Sequence, residues 1–130
     1  ALIKHTHHDL DIGGNKDSEL MLKAGAEFVL ASSPQLSIQY QRYKQEPDFV
    51  TLLEAIPPDM DLLIVEGYKL EELPKIEVLR HEITTEPMLL PQTLALITDF
   101  PLQAEVPVFD HQDIEGIIFF MIKELPISHI

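Results

Sequence analysis

The sequence predicts an α/β layer fold with a mostly parallel sheet, and three observations carry that expectation. Short apolar runs alternate along the chain with helix-like stretches, the pattern of strands joined by helices. Leu62 to Val65 is wholly apolar, as suits a central parallel strand covered on both faces. Ile114, Ile117, Ile118, Met121, Ile122 and Leu125 recur at helical spacing and form a stripe that packs on a sheet. The chain has 130 residues and shows no repeat or linker, so it reads as one domain, residues 1–130, with one core.

Taken in order, Ala1 to Lys4 looks like the tail of a buried strand. Asp17 or Ser18 caps a short helix that ends at Gly25. Glu27 to Ala31 is the next strand, and Leu36, Ile38 and Tyr40 alternate with polar residues as in a half-exposed strand. Asp48 caps a helix from Phe49 to Ile56, stopped by Pro57 and Pro58. After Leu62 to Val65 come strands at Ile76 to Leu79 and Leu94 to Thr98, the latter closed by Asp99 and Pro101. Val108 and Phe109 make a short edge strand. Asp110, with Asp113 three residues on, opens a last helix that runs to about Leu125 and stops at Pro126.

Composition narrows the partners. Nine Lys and Arg stand against 22 Asp and Glu, a net charge of −13, so sequence-independent attraction to nucleic acid or anionic lipid is not expected. The acids are uneven: residues 46–86 hold eleven acids and three bases, residues 1–25 four acids and three bases. An anionic ligand therefore meets least repulsion near the first strand. With no cysteine there is no disulfide, thiolate metal site or Cys nucleophile. No apolar run approaches the ~20 residues of a membrane span, and no signal peptide is visible.

Chemistry-bearing residues collect after the strands. Polar or charged residues follow the apolar runs at Lys4 to Asp9, at Glu66 and at Asp99, and open α/β sheets bind ligands at that edge. The plainer reading of any one of these is a strand re-entering solvent. His5-Thr6-His7-His8-Asp9 is the densest group of metal-ligand residue types; extended, it sends His5, His7 and Asp9 to one side and His8 to the other. One reading is a metal-dependent hydrolase in which imidazoles hold zinc, although Leu10 stands where a further His would be wanted. The other readings are an anion-facing edge and a structural turn.

Asp11-Ile12-Gly13-Gly14-Asn15-Lys16-Asp17-Ser18 is a glycine-rich loop delivering Lys16 and a capped helix start, which suit a phosphate, or are ordinary loop chemistry. The pattern Gly-x-x-x-x-Gly-Lys-Ser/Thr is absent from the 130 residues. Glu66, at the tip of an apolar strand, places a carboxylate where it can hold a magnesium-bound water beside nucleotide phosphates, and Gly67 allows close backbone approach. A strand end followed by a glycine turn is the bland alternative.

Four segments in order resemble the molybdopterin-guanine dinucleotide biosynthesis protein B family, MobB, a branch of the P-loop GTPases: Leu2-Ile3-Lys4-His5-Thr6-His7-His8-Asp9; Lys16-Asp17-Ser18 leading to Ala24-Gly25-Ala26; Val65-Glu66-Gly67-Tyr68-Lys69; and Pro74-Lys75-Ile76-Glu77-Val78. Thr98-Asp99-Phe100-Pro101-Leu102 and Asp113-Ile114-Glu115-Gly116 are similar to the family's last third. Family members begin with a strand, phosphate loop and helix ahead of the strand matched here. The resemblance thus implies a three-layer, mostly parallel P-loop NTPase-like sheet truncated at the amino terminus, its first strand, P-loop and first helix absent.

The resemblance further implies a cytoplasmic, homodimeric GTP-binding accessory protein of molybdenum cofactor biosynthesis, at most a weak GTPase in the complete form. Its partners would be a MobA-like molybdopterin guanylyltransferase and the molybdopterin cofactor, its cofactors GTP and Mg2+. By that reading Glu66 is the catalytic residue and, with Asp9, joins the magnesium shell. Lys4, His5, His7, Lys16, Asp17, Ser18 and Gly67 face the nucleotide or another anion. Asp99 sits where P-loop GTPases read guanine, without the usual Asn-Lys-x-Asp context. The alternative is a non-catalytic dimeric adaptor for the guanylyltransferase.

Overall fold

The computed structural model describes residues 1–8, 10–11, 14 and 16–125. The sequence reads as one domain over residues 1–130; by contacts the chain divides into two compact units, Ala1–Lys69 and Leu70–Ile130, each considered by itself.

The first unit contains β1 (Leu2–Lys4), α1 (Asp17–Lys23), β2 (Phe28–Ser32), β3 (Ser37–Gln41), α2 (Phe49–Glu54) and β4 (Ile64–Glu66). β1 and β4 are parallel, with Leu2 opposite Ile64, Ile3 opposite Val65 and Lys4 opposite Glu66. Since side chains alternate along a strand, Ile3 and Val65 share the covered face while Leu2 and Ile64 share the open one. Ile3 is buried, whereas Leu2 and Ile64 are 61% and 48% exposed. The expectation of a central strand at Leu62 to Val65, covered on both faces, is corrected here. Among the described residues β4 starts only at Ile64, pairs with β1 alone and has one covered face, and Leu62 lies before the ladder, its carbonyl accepting from the Ala1 amino group at 2.6 Å.

α1 also differs at its start. Neither Asp17 nor Ser18 is the cap: Lys16 has extended backbone (φ −73°, ψ 151°), and its carbonyl accepts from Glu19 N and Leu20 N. Asp17 is thereby the first helical residue, and the Glu19 carboxylate reaches back to Lys16 N at 3.2 Å. The end matches the glycine signal. Gly25 takes φ +108°, Gly25 N donates to Leu22 O and Ala26 N to Met21 O, which is the Schellman arrangement. Leu22 is buried, and Arg42 Nη2 donates to its carbonyl at 2.9 Å, tying the antiparallel β2–β3 hairpin to the helix. Asp48 caps α2 as its position implies, its carboxylate accepting from Thr51 N at 2.8 Å.

In the second unit β5 (Lys75–Leu79), β6 (Thr93–Thr98) and β7 (Val108–Asp110) form a parallel sheet with β6 in the middle, and α3 (Ile114–Glu124) follows. β6 is the strand covered on both faces: Ala95 and Leu96, adjacent and therefore on opposite faces, are both fully buried. Its polar ends are satisfied. Thr93 Oγ1 donates to Glu77 Oε1 at 2.7 Å and Thr98 Oγ1 to Phe100 O at 2.7 Å. Asp113 caps α3 by accepting from Gly116 N, while Asp110 closes β7. Only part of the expected helix stripe is covered. Ile117 is buried and Phe120 lies 5.3 Å from the Phe109 ring, whereas Ile114, Ile118 and Ile122, four residues apart along one flank, are half exposed or more.

Candidate functional site

Because β1 and β4 run parallel, both release their chains at the same edge, with Lys4 to His8 beside Glu66 to Tyr68. His5 N extends the ladder by donating to Glu66 O at 2.9 Å. Lys4 Nζ and Glu66 Oε1 lie 2.9 Å apart, both side chains largely exposed, so Glu66 is partnered by a cation on the neighbouring strand.

The turn after β4 shapes the rest. Gly67 takes φ +94° and Tyr68 φ 49°, and a Cβ at Gly67 would stand 2.9 Å from His5 Cβ, so glycine is what lets the two strand ends approach. The reversal lays the Tyr68 ring against His5, centroids 4.7 Å apart, with Phe49 of α2 on Tyr68 at 4.9 Å. His7 meets His5 edge-on at 4.9 Å. Four rings thus stand in a row. His5, 19% exposed at its side chain, has Nε2 at 3.5 Å from Glu46 Oε1.

Against this row lies a cavity of about 350 Å³ lined by His5, His7, His8, Thr6, Glu46 and Tyr68, with Pro47 and Leu52 as apolar wall. It is polar, offering imidazole nitrogens and hydroxyls opposed by one carboxylate. The expected sidedness of the histidines is corrected: His7 and His8 sit in a bend, His8 N donates to Thr6 Oγ1 at 3.3 Å, and all three imidazoles line one cavity. Asp9 lies outside the described residues, and among the described residues no three His, Asp or Glu side chains are arranged to hold a metal ion.

Of the other sequence candidates, Gly67 belongs to this edge, while Lys16, Asp17 and Ser18 are not among the cavity's lining residues. At their helix start the Glu19 carboxylate occupies the Lys16 N–H. Asp99 lies in the second unit, its Oδ1 accepting from His81 N at 2.8 Å. Two participants were not singled out from the sequence. Tyr68 follows Gly67 directly, and a bulky residue after a strand-end glycine was the available signal. Glu46 gave none, since Glu46-Pro47-Asp48 reads as a solvated turn ahead of a capped helix.

The α/β architecture and this strand edge are matched in known proteins. The family model described as "Molybdopterin guanine dinucleotide synthesis protein B" (MobB) matches residues 1–99. The chain is 34% identical over 130 residues to the molybdopterin-guanine dinucleotide biosynthesis adapter protein of Escherichia coli K12, covering 95% of this chain and 74% of that protein. It is 31% identical over 124 residues to the protein of the same name from Haemophilus influenzae, covering 93% and 70%. A crystal structure of molybdopterin-guanine biosynthesis protein B superposes with a TM-score of 0.66 at 23% identity, covering 94% of this chain and 76% of that one, a likeness of fold. Every segment that forms the cavity falls within the matched stretch. The chain belongs to the MobB family.

Proposed function

We propose that the chain is an accessory protein of molybdenum cofactor biosynthesis, acting where molybdopterin guanine dinucleotide is made. The observation that carries this is the family match over residues 1–99. The relatives' name, adapter protein, favours an adaptor over a protein that turns over GTP; the proposed adaptor is a homodimer that docks a MobA-like guanylyltransferase. No helix among the described residues is long and apolar enough to cross a membrane. The proposed place of work, the cytoplasm, rests on the family resemblance instead.

The proposed ligand at the edge shared by β1 and β4 is GTP with magnesium, whose GMP group the guanylyltransferase would move onto the molybdopterin phosphate with release of pyrophosphate. Lys4, His5 and His7 face the anion, and Gly67 keeps the backbone close. Glu66, whose Oε1 is held by Lys4, would supply a carboxylate oxygen to a magnesium-bound water. A single carboxylate is enough where phosphate oxygens and water supply the remaining magnesium ligands. Asp9 is the second candidate for that shell. Lys16, Asp17 and Ser18, which do not line the cavity, and Asp99, which belongs to the second unit, are candidates on the sequence resemblance alone, to be decided by substitution.

The test is a guanylyl-transfer assay with purified guanylyltransferase, molybdopterin, GTP and magnesium, with and without the chain. An accessory protein raises the yield of dinucleotide, and an adaptor does so while releasing no phosphate from GTP alone. A yield unchanged by the chain overturns the proposal.

A further inference from the structure

The cavity beside His5 carries one feature that the family match does not require: an acidic side chain of the chain itself sits on its best-buried imidazole. Glu46 Oε1 is 3.5 Å from His5 Nε2, and Glu46 is 70% exposed at its side chain while His5 is 19% exposed. The carboxylate therefore hangs over the cavity from the solvent side and can swing away at little cost, whereas the imidazole is fixed among Tyr68 and His7.

Neighbouring charges leave this contact distinct. Lys4 and Glu66 hold each other at 2.9 Å. The Asp48 carboxylate, two residues beyond Glu46, accepts from Thr51 N. Among the described residues, Glu46 is the one acidic side chain lining the cavity, against His5, His7, His8 and the Thr6 hydroxyl. Imidazole N–H and hydroxyl groups donate to oxyanions, and a carboxylate and a phosphate present the same pair of acceptor oxygens. Glu46 stands at the edge of an acidic stretch, residues 46–86, in a chain of net charge −13.

We propose that the Glu46 carboxylate is a built-in competitor in this cavity, holding the place of a ligand's phosphate oxygens until a more highly charged anion displaces it. The inference rests on reading this edge as the anion side of the protein, and it adds a selectivity device. A monoanion gains too little to evict a tethered carboxylate, whereas a di- or triphosphate brings several charges to the same donors.

The probe is inorganic pyrophosphate, titrated into the chain at fixed pH and ionic strength, with affinity read by calorimetry and the His5 imidazole followed by NMR. Glu46→Gln keeps the shape and removes the competing charge. Its affinity for pyrophosphate is expected to rise about fivefold, the worth of one unit charge near 4 Å in a water-like medium, with the His5 resonances moving on titration. Glu27→Gln removes the same charge from an exposed position that does not line the cavity and is expected to match the wild type. Equal affinities for wild type and Glu46→Gln, an equal rise in both variants, or titration that leaves His5 unmoved overturns the proposal. Because the guanylyl-transfer assay reads the proposed function independently, unchanged dinucleotide yield alongside a tighter Glu46→Gln site would refute that reading alone.

Discussion

Gly67→Ala tests whether the strand-edge turn is built as described. At φ +94° an L residue meets its own carbonyl, a backbone cost of about 1–2 kcal/mol. The new methyl would also stand 2.9 Å from His5 Cβ and 3.3 Å from His5 O, atoms close to a hydrogen-bonded backbone and unable to rotate away. Relieving that overlap adds about 1 kcal/mol or more. Gly25 is the internal reference. Its φ is +108°, but a Cβ there meets nothing within 4 Å, so Gly25→Ala carries the backbone cost alone. For a chain of this size each kcal/mol lowers the melting temperature by about 4 °C. The expected falls are then about 8–12 °C for Gly67→Ala and about 4–8 °C for Gly25→Ala, measured by thermal unfolding in the same buffer. Gly67→Ala should also shift the His5 ring resonances, since relief of the overlap moves the Tyr68 face. A Gly67→Ala protein as stable as Gly25→Ala, or more so, would refute the close approach of β1 and β4 ends.

Leu96→Ala, removing a fully buried side chain from the middle of β6, should destabilise the second unit by about 3 kcal/mol in urea unfolding. The Asp48 carboxyl is held below its ordinary 3.8 by the hydrogen bonds from Thr51. Its contribution to α2 is therefore present above pH 3.8 and is lost as pH falls through the lower folded value, so Asp48→Asn should flatten that part of an acid-unfolding curve. Asp99→Ala orphans the His81 amide and should cost about 1 kcal/mol, whereas Asp99→Asn keeps an acceptor there and should melt like the wild type. If Asp99 also reads guanine, Asp99→Asn shifts preference from GTP toward XTP by roughly tenfold or more in competition binding, and an unchanged ratio removes it from the site.

How much of this was legible along the chain depends on the range of the interactions. Asp48 and Asp113 cap helices through amides three residues away, and Gly25 ends α1 through bonds confined to one turn, so their signals are local. The α/β class follows from the same short-range alternation. Strand rank does not: Leu62 to Val65 looks more like a central strand than Thr93 to Thr98, yet β6 is the covered one. Its threonines are tolerated inside because Glu77 and the Phe100 carbonyl accept from them, contacts that apolarity counting cannot register. Lys16 became the α1 cap through backbone conformation rather than side-chain type. In the cavity, His5 and His7 were visible as a chemical cluster. Tyr68 and Glu46 reach His5 from 63 and 41 positions away, and only the folded chain brings them together.

The most direct test of the central claim, that the cavity at the carboxyl ends of β1 and β4 is where this family member meets its phosphorylated ligand, is an NMR titration with GTP and magnesium that maps perturbed residues. The account predicts shifts concentrated at Lys4, His5, Thr6, His7, Glu46, Gly67 and Tyr68, abolished by excess pyrophosphate. Shifts that leave these residues unmoved, whether they fall elsewhere or nowhere, would contradict it.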